Sequence, residues 1–186
     1  MRELKSYLTT INERGIKMKY FIDTEFIERP CTIDLISIAI VAEDGREFYA
    51  ISNEFDESKA SQWVKENVIS KLPSSQFDYY TSPNLREQAL LWRTRARIKE
   101  DILSFIGQDK PSFWGYYADY DWVVFCWLFG TMMELPKGFP MYCNDIKQLC
   151  NSLGNPQLPK MEGQDHNALD DARQHKKCYE FLMTKP

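Results

Sequence analysis

Five residues of this sequence have the types and spacing to hold and use divalent metal ions. Asp23 and Glu25 stand two positions apart in the hydrophobic stretch "KYFIDTEFIE". Side chains alternate across a strand, so these two share a face with Phe21 while Thr24 points away. Their stems are then roughly 6.6 Å apart, close enough to converge on one divalent ion. Ionised carboxylates in a buried strand are costly unless something compensates their charge. Either this strand ends at the surface or it delivers two oxygen ligands.

The third carboxylate lies in "WGYYADYDWVVF", where Asp119 and Asp121 sit at the change from a buried strand to an apolar helix. One Asp there serves as N-cap for free backbone N–H groups; that role is assigned to Asp119. Asp121, a turn into so apolar a helix, needs a partner, and a metal would serve. The last group is "DHNALDDARQHKKCYEFL". His166 stands at the mouth of the final helix, with Asp165 or Asn167 as cap and Asp170 and Asp171 in its first turn. Ala168, Ala172, Tyr179 and Leu182 form the apolar stripe at helical spacing. Asp171 flanks that stripe, while Asp170 points toward solvent and complements the helix dipole. His175 falls on the stripe one turn past Asp171, either as a structural histidine or bonded to Asp171 behind the metal.

Four carboxylates in one cleft repel each other and hold protons more tightly unless cations are present. Two divalent ions would cancel the charge, and hard oxygen ligands suit Mg²⁺ or Mn²⁺ rather than zinc. Such a pair, about 3.5–4 Å apart, clamps the attacking and leaving oxygens of an in-line phosphoryl displacement. A histidine beside it can take a proton from the attacking water.

The elements that must position these groups are legible from periodicity. Met18 to Thr24, Thr32 to Ala42 and Arg46 to Ser52 read as three antiparallel strands, the last two joined by a tight hairpin at Asp44-Gly45. Helices are expected over Ser61 to Leu72 and from about Glu87 to Ile106. Pro111 to Tyr117 reads as a buried strand leading into a helix from Tyr120 to Phe129. "GFPMYC" reads as a fifth strand, and "NDIKQLCNSLG" as a helix capped by Asn144 or Asp145 and stopped at Gly154. The final helix runs from about Asn167 to Met183. Strands followed by alternating strands and helices predict an α/β layered domain with a mixed sheet flanked by helices. Trp63 and Trp114 are expected in the core. Arg93, Arg95, Arg97 and Lys99 beside Trp92 form either a phosphate-contacting ridge with a stacking aromatic or a solvated helix face.

The 186 residues suit one domain, and hydrophobic and charged fractions of 44% and 27% are those of a globular protein. A net charge of −4 supplies no global basic field for nucleic acid, although bound metal or a local patch can replace one. The five cysteines include no C-x-x-C pair, a pattern of reduced thiols in a cytoplasmic protein. "WVVFCWLF" is far shorter than the roughly 20 residues of a membrane helix, so no membrane partner is expected. Residues 1–17 precede the first strand as an N-terminal extension, and 18–186 form the domain.

"DTE", "YADYD" and "HNALDDA", in this order, resemble the three motifs of the DnaQ-like DEDDh 3'-5' exonucleases. His166 and Asp171 are separated as that superfamily requires. "YFIDTEFIE", "IDLISIAIVAEDGREFYAIS" and "WGYYADYDWVVFCWLFG" are similar to the small stand-alone 3'-5' exoribonucleases of mycobacterial type, and the resemblance spans nearly the whole chain from Met18. It implies an RNase H-like fold, two Mg²⁺ or Mn²⁺ ions held by Asp23, Glu25, Asp121 and Asp171, and His166 as general base. It also implies single-stranded RNA as substrate, cut to nucleoside 5'-monophosphates, and a homodimer. Single-stranded DNA is the alternative substrate, and a silent nucleic-acid-binding domain the alternative class. Phe26 departs from many members, which carry Thr or Ser there; it either packs in the core or stacks on the 3'-terminal base. Thr24, Phe26, Arg93 and Arg95 are the candidate substrate contacts.

Overall fold

The computed structural model describes residues 17–75 and 83–185. The expected extension thus lies outside the described residues but for Lys17, which opens the first strand. Six strands form one mixed sheet: β1 (Lys17–Arg29), β2 (Thr32–Ala42), β3 (Glu47–Ser52), β4 (Trp92–Arg93), β5 (Lys110–Gly115) and β6 (Asn144–Asp145). Their order across the sheet is β4-β3-β2-β1-β5-β6. The first three are antiparallel, whereas β5 runs parallel to β1 and β6 parallel to β5. The helices are α1 (Gln62–Asn67), α2 (Pro83–Ala89), α3 (Arg95–Ile106), α4 (Asp119–Phe129), α5 (Ile146–Ser152) and α6 (Ala168–Leu182).

Period-two alternation divides β1 between two cores. Tyr20 and Ile22, with Ile38 and Ile40 of β2, pack against Ile98, Ile102 and Ile106 of α3 and Phe125 and Phe129 of α4. Phe21, with Ala39 and Val41, packs on the other face against Ile146 and Cys150 of α5 and Ala168, Ala172 and Leu182 of α6. The face that carries Asp23 and Glu25 is therefore the α6 face.

β1 does not stop at Thr24. It continues to Arg29, pairing with β2 throughout, and the register shifts between Glu25 and Phe26 because Ile36 is an extra residue on β2. The two carboxylates thus occupy the middle of a paired strand at a β-bulge, a device that re-aims side chains. The β2–β3 hairpin forms at the expected place with Gly45 at φ +92°, but it is longer than a two-residue turn: the Ala42 N–H pairs with the Arg46 carbonyl across it.

The helix expected over Glu87 to Ile106 is broken in two. Ile51 of β3 donates to the Leu91 carbonyl, Trp92 and Arg93 pair with β3, and Thr94 Oγ1 then caps α3 through the Arg97 N–H at 3.2 Å. "GFPMYC" forms no strand. Pro140 has no N–H to give a ladder, and Phe139 turns into the Phe113, Phe125 and Phe129 aromatic cluster instead. The helix expected over Ser61 to Leu72 is α1, capped by Ser61 Oγ, followed by a 3₁₀ turn at Ile69–Lys71.

Candidate metal-dependent active site

The acidic groups arrive from a strand and a helix far apart in sequence. Asp23 and Glu25 come from the middle of β1, beside the β2 bulge at Ile36, and Asp171 from the first turn of α6, whose cap Asn167 Oδ1 accepts from the Leu169 and Asp170 N–H groups. One oxygen from each of Asp23, Glu25 and Asp171 lies within 4.8 Å of the others. Nothing in the sequence spacing requires such convergence; the packing of α6 on β1 produces it. Asp170 turns away, as expected, to an exposed network with Arg173 and Glu47.

Asp121 stands next to this trio rather than within it. It is 6% exposed, and its Oδ1 accepts both the Thr24 N–H at 2.9 Å and the Thr24 hydroxyl at 2.5 Å. Sequence reasoning anticipated a need for a partner at Asp121 but not that Thr24 would be one. Asp119 is not the cap of α4. Ala118 holds that position without a side-chain bond, and its N–H donates to Asp145 Oδ2 at 3.0 Å. Asp145 is also the cap of α5, accepting from the Gln148 N–H at 2.8 Å.

His166 lies in the loop before α6 with φ +62°, a left-handed conformation that histidine adopts more readily than most residues. Its imidazole is solvent-exposed and meets the Trp63 ring edge-on, with centroids 4.8 Å apart. Trp63, expected in the core, is 52% exposed and forms a wall beside the site instead. Trp63, Glu25 and Phe26 line a cleft of about 330 Å³. Lys71 Nζ donates to the Asp165 carbonyl at 3.3 Å, next to His166.

The remaining candidate contacts are placed as follows. Thr24 is buried, and its hydroxyl is committed to Asp121. Phe26 is half-buried and edge-on to Tyr120, with one side on the cleft. Arg93 pairs with Asp101 at 2.7 Å, and Arg95 pairs with Asp34. Both arginines are therefore held internally, and Arg97 also joins Asp101. Trp114 packs on Tyr179 as a core residue should.

The electrostatics are those of crowded carboxylates. Burial, then the charges of Asp121, Glu25 and Asp171, holds the Asp23 carboxyl well above its ordinary range. Burial with Asp171 and Asp121 nearby pushes Glu25 up to about 8, although Lys71 opposes this. Burial pushes Asp121 to about 6 against the two Thr24 bonds, and Asp171 to about 6 against the Asn167 N–H and the His166 ring. Clustered oxygen donors that cannot easily all ionise fit one or more hard divalent cations.

A pH effect follows. The folded protein keeps protons on these groups at pH values where the unfolded chain has released them. Stability of the metal-free protein therefore falls as pH rises from about 4 toward about 8. The melting temperature in EDTA is expected to drop between pH 5 and pH 8, and Mn²⁺ to raise it more at pH 8. Thermal scans at both pH values check this; equal shifts from Mn²⁺ would contradict it.

The chain matches the family described as the 3'-5' exoribonuclease Rv2179c-like domain over residues 18–183. It is 39% identical over 170 residues to the 3'-5' exoribonuclease Rv2179c of Mycobacterium tuberculosis strain H37Rv, covering 90% of this chain and 94% of that protein. Among solved structures, it superposes with a TM-score of 0.54 on E. coli exonuclease I in complex with a dT13 oligonucleotide, at 13% identity. That match covers 91% of this chain but only 41% of exonuclease I. A zinc-bound exonuclease I–single-stranded DNA complex gives a TM-score of 0.53 at 13% identity. The six-stranded mixed sheet thus shares the fold of exonuclease I, and the chain belongs to the Rv2179c-like 3'-5' exoribonuclease family.

Proposed function

We propose that this protein is a 3'-5' exoribonuclease that trims single-stranded RNA to nucleoside 5'-monophosphates. The observation that carries the reading is the convergence of Asp23, Glu25 and Asp171 within 4.8 Å in a member of that family. Asp23, Glu25, Asp121 and Asp171 would hold two Mg²⁺ or Mn²⁺ ions. These would supply positive charge to stabilise the negative charge that in-line displacement at phosphorus builds on oxygen.

The chain's own groups do the rest. Thr24 fixes Asp121 through two bonds to one oxygen, so that carboxylate meets the site without reorganisation. His166 takes the proton of the attacking water on a ring nitrogen, its approach set by the Trp63 edge and by Lys71 on the preceding carbonyl. The cleft between Trp63 and Phe26 gives an aromatic wall for the terminal base, since stacking tolerates any base. Arg93 and Arg95 would reach substrate phosphates only by leaving their acidic partners. A cytoplasmic location is part of the reading, supported by five free thiols. Among the described residues no helix is long and apolar enough to cross a membrane. A homodimer, carried over from the resemblance, is checked by light scattering.

The test uses 5'-labelled single-stranded RNA and DNA of matched sequence on a denaturing gel with Mg²⁺, Mn²⁺ or EDTA. A descending ladder from RNA, abolished by EDTA, is expected. A ladder from DNA alone would move the activity to DNA trimming, and no ladder with either metal would leave a binding domain.

A further inference from the structure

We propose that His175 is a positioning residue for Asp23, orienting that carboxylate for divalent metal through a donor the two share; the inference rests on the metal site proposed above. His175 lies one helical turn after Asp171 on α6 and is only 7% exposed. Its Nδ1 is 2.9 Å from the carbonyl oxygen of Ile22. A backbone carbonyl only accepts, so the proton of the neutral ring sits on Nδ1. Nε2 is then left as a lone pair.

That lone pair faces the acidic site. Nε2 is 3.7 Å from Asp23 Oδ1. The distance is too long for a direct hydrogen bond, and with Asp23 ionised to hold metal both atoms are acceptors. It suits one small donor, a water giving a hydrogen to each. The ring is enclosed, with Tyr116 flanking it at planes 27° apart and centroids 6.2 Å apart. Its other nitrogen is anchored to the residue that immediately precedes Asp23. The histidine is thereby registered against the same stretch of β1 that carries the carboxylate, and the helix that supplies Asp171 also sets the rotation of Asp23. A histidine serving the fold alone would need only the Ile22 bond; the second nitrogen aimed at a metal-binding carboxylate is what a structural role leaves unused. Partners standing behind metal ligands in this way typically change metal affinity by about 10–100-fold when lost.

The experiment is calorimetric titration of Mn²⁺ into the full-length protein and three variants, with melting temperatures in EDTA. His175→Asn can still donate to the Ile22 carbonyl but does not reach Asp23. His175→Phe keeps the ring and loses both nitrogens. His175→Gln restores an acceptor at the longer reach. The proposal expects Asn and Phe to weaken Mn²⁺ binding by about tenfold or more, and Gln to recover most of it. A folded His175→Asn with wild-type affinity overturns the proposal. A His175→Asn protein without a cooperative melt in EDTA overturns it as well, because the role would then belong to the fold. Wild-type protein that binds no Mn²⁺ would instead sink the metal site itself, a separate failure read in the first titration.

Discussion

Asp23→Asn is expected to lose at least about 10³-fold in turnover while melting several degrees higher than the wild type in EDTA at pH 8. The two effects have one cause. Asp23 is half-buried among Glu25, Asp121 and Asp171, and each of these charges raises its proton affinity. At close range, like charges in a partly buried site cost on the order of a few kcal/mol. Replacing the carboxylate by a neutral amide of the same shape removes that cost, and in a domain of this size each kcal/mol is about 2–4 °C of melting temperature. The carboxylate's negative charge is also what draws metal in. A loss of about 4 kcal/mol of charge stabilisation in the transition state corresponds to about 10³ in rate. Thermal scans and single-turnover rates on the same preparation read both. A variant that is both inactive and less stable would mean that Asp23 is a structural residue, and an active one would mean that the cluster is not the site.

His166→Ala is expected to give the complementary pattern: turnover down by about 10²–10⁴, with Mn²⁺ affinity and the EDTA melting temperature unchanged. The imidazole is exposed and touches the Trp63 edge, so its removal leaves no cavity in either core. Its charge contributes only a secondary influence on Asp171. Metal binding therefore survives while proton transfer from water loses its acceptor. Near wild-type rates would remove the general-base role, and a loss of metal affinity equal to the loss of rate would recast His166 as a ligand. The two variants together separate holding the metal from using it.

How much of this was legible in the sequence depends on whether a feature is local or long-range. The shared face of Phe21, Asp23 and Glu25 follows from strand alternation, and the place of Asp171 beside the apolar stripe of α6 follows from helical periodicity. The antiparallel β1–β2–β3 opening, the apolar α4 and the Asn167 cap are likewise local. What escaped depends on partners distant in sequence. β1 runs on past Glu25 because β2 is there to pair with it, and the extra Ile36 of β2 that shifts the register there has no signature of its own. Trp92 and Arg93 left the expected helix for β3, although Thr94 as a capping residue was a signal that could have marked the break. Trp63 carried a composition cue toward burial, yet the short α1 sets it beside the His166 loop. The Thr24 bonds to Asp121 cross 97 positions, and the His175 contact with Ile22 crosses 153. Spacing alone leaves His175 as either a structural histidine or a partner of Asp171; the packing of α6 sets its Nε2 3.7 Å from Asp23 instead.

The most direct test of the metal site is anomalous diffraction from crystals grown with Mn²⁺ and a nucleoside 5'-monophosphate. Two anomalous peaks roughly 3.5–4 Å apart, bounded by Asp23, Glu25, Asp121 and Asp171, are expected. No peak against Asp23, Glu25 and Asp171 at saturating Mn²⁺, or a peak only elsewhere on the surface, would contradict it.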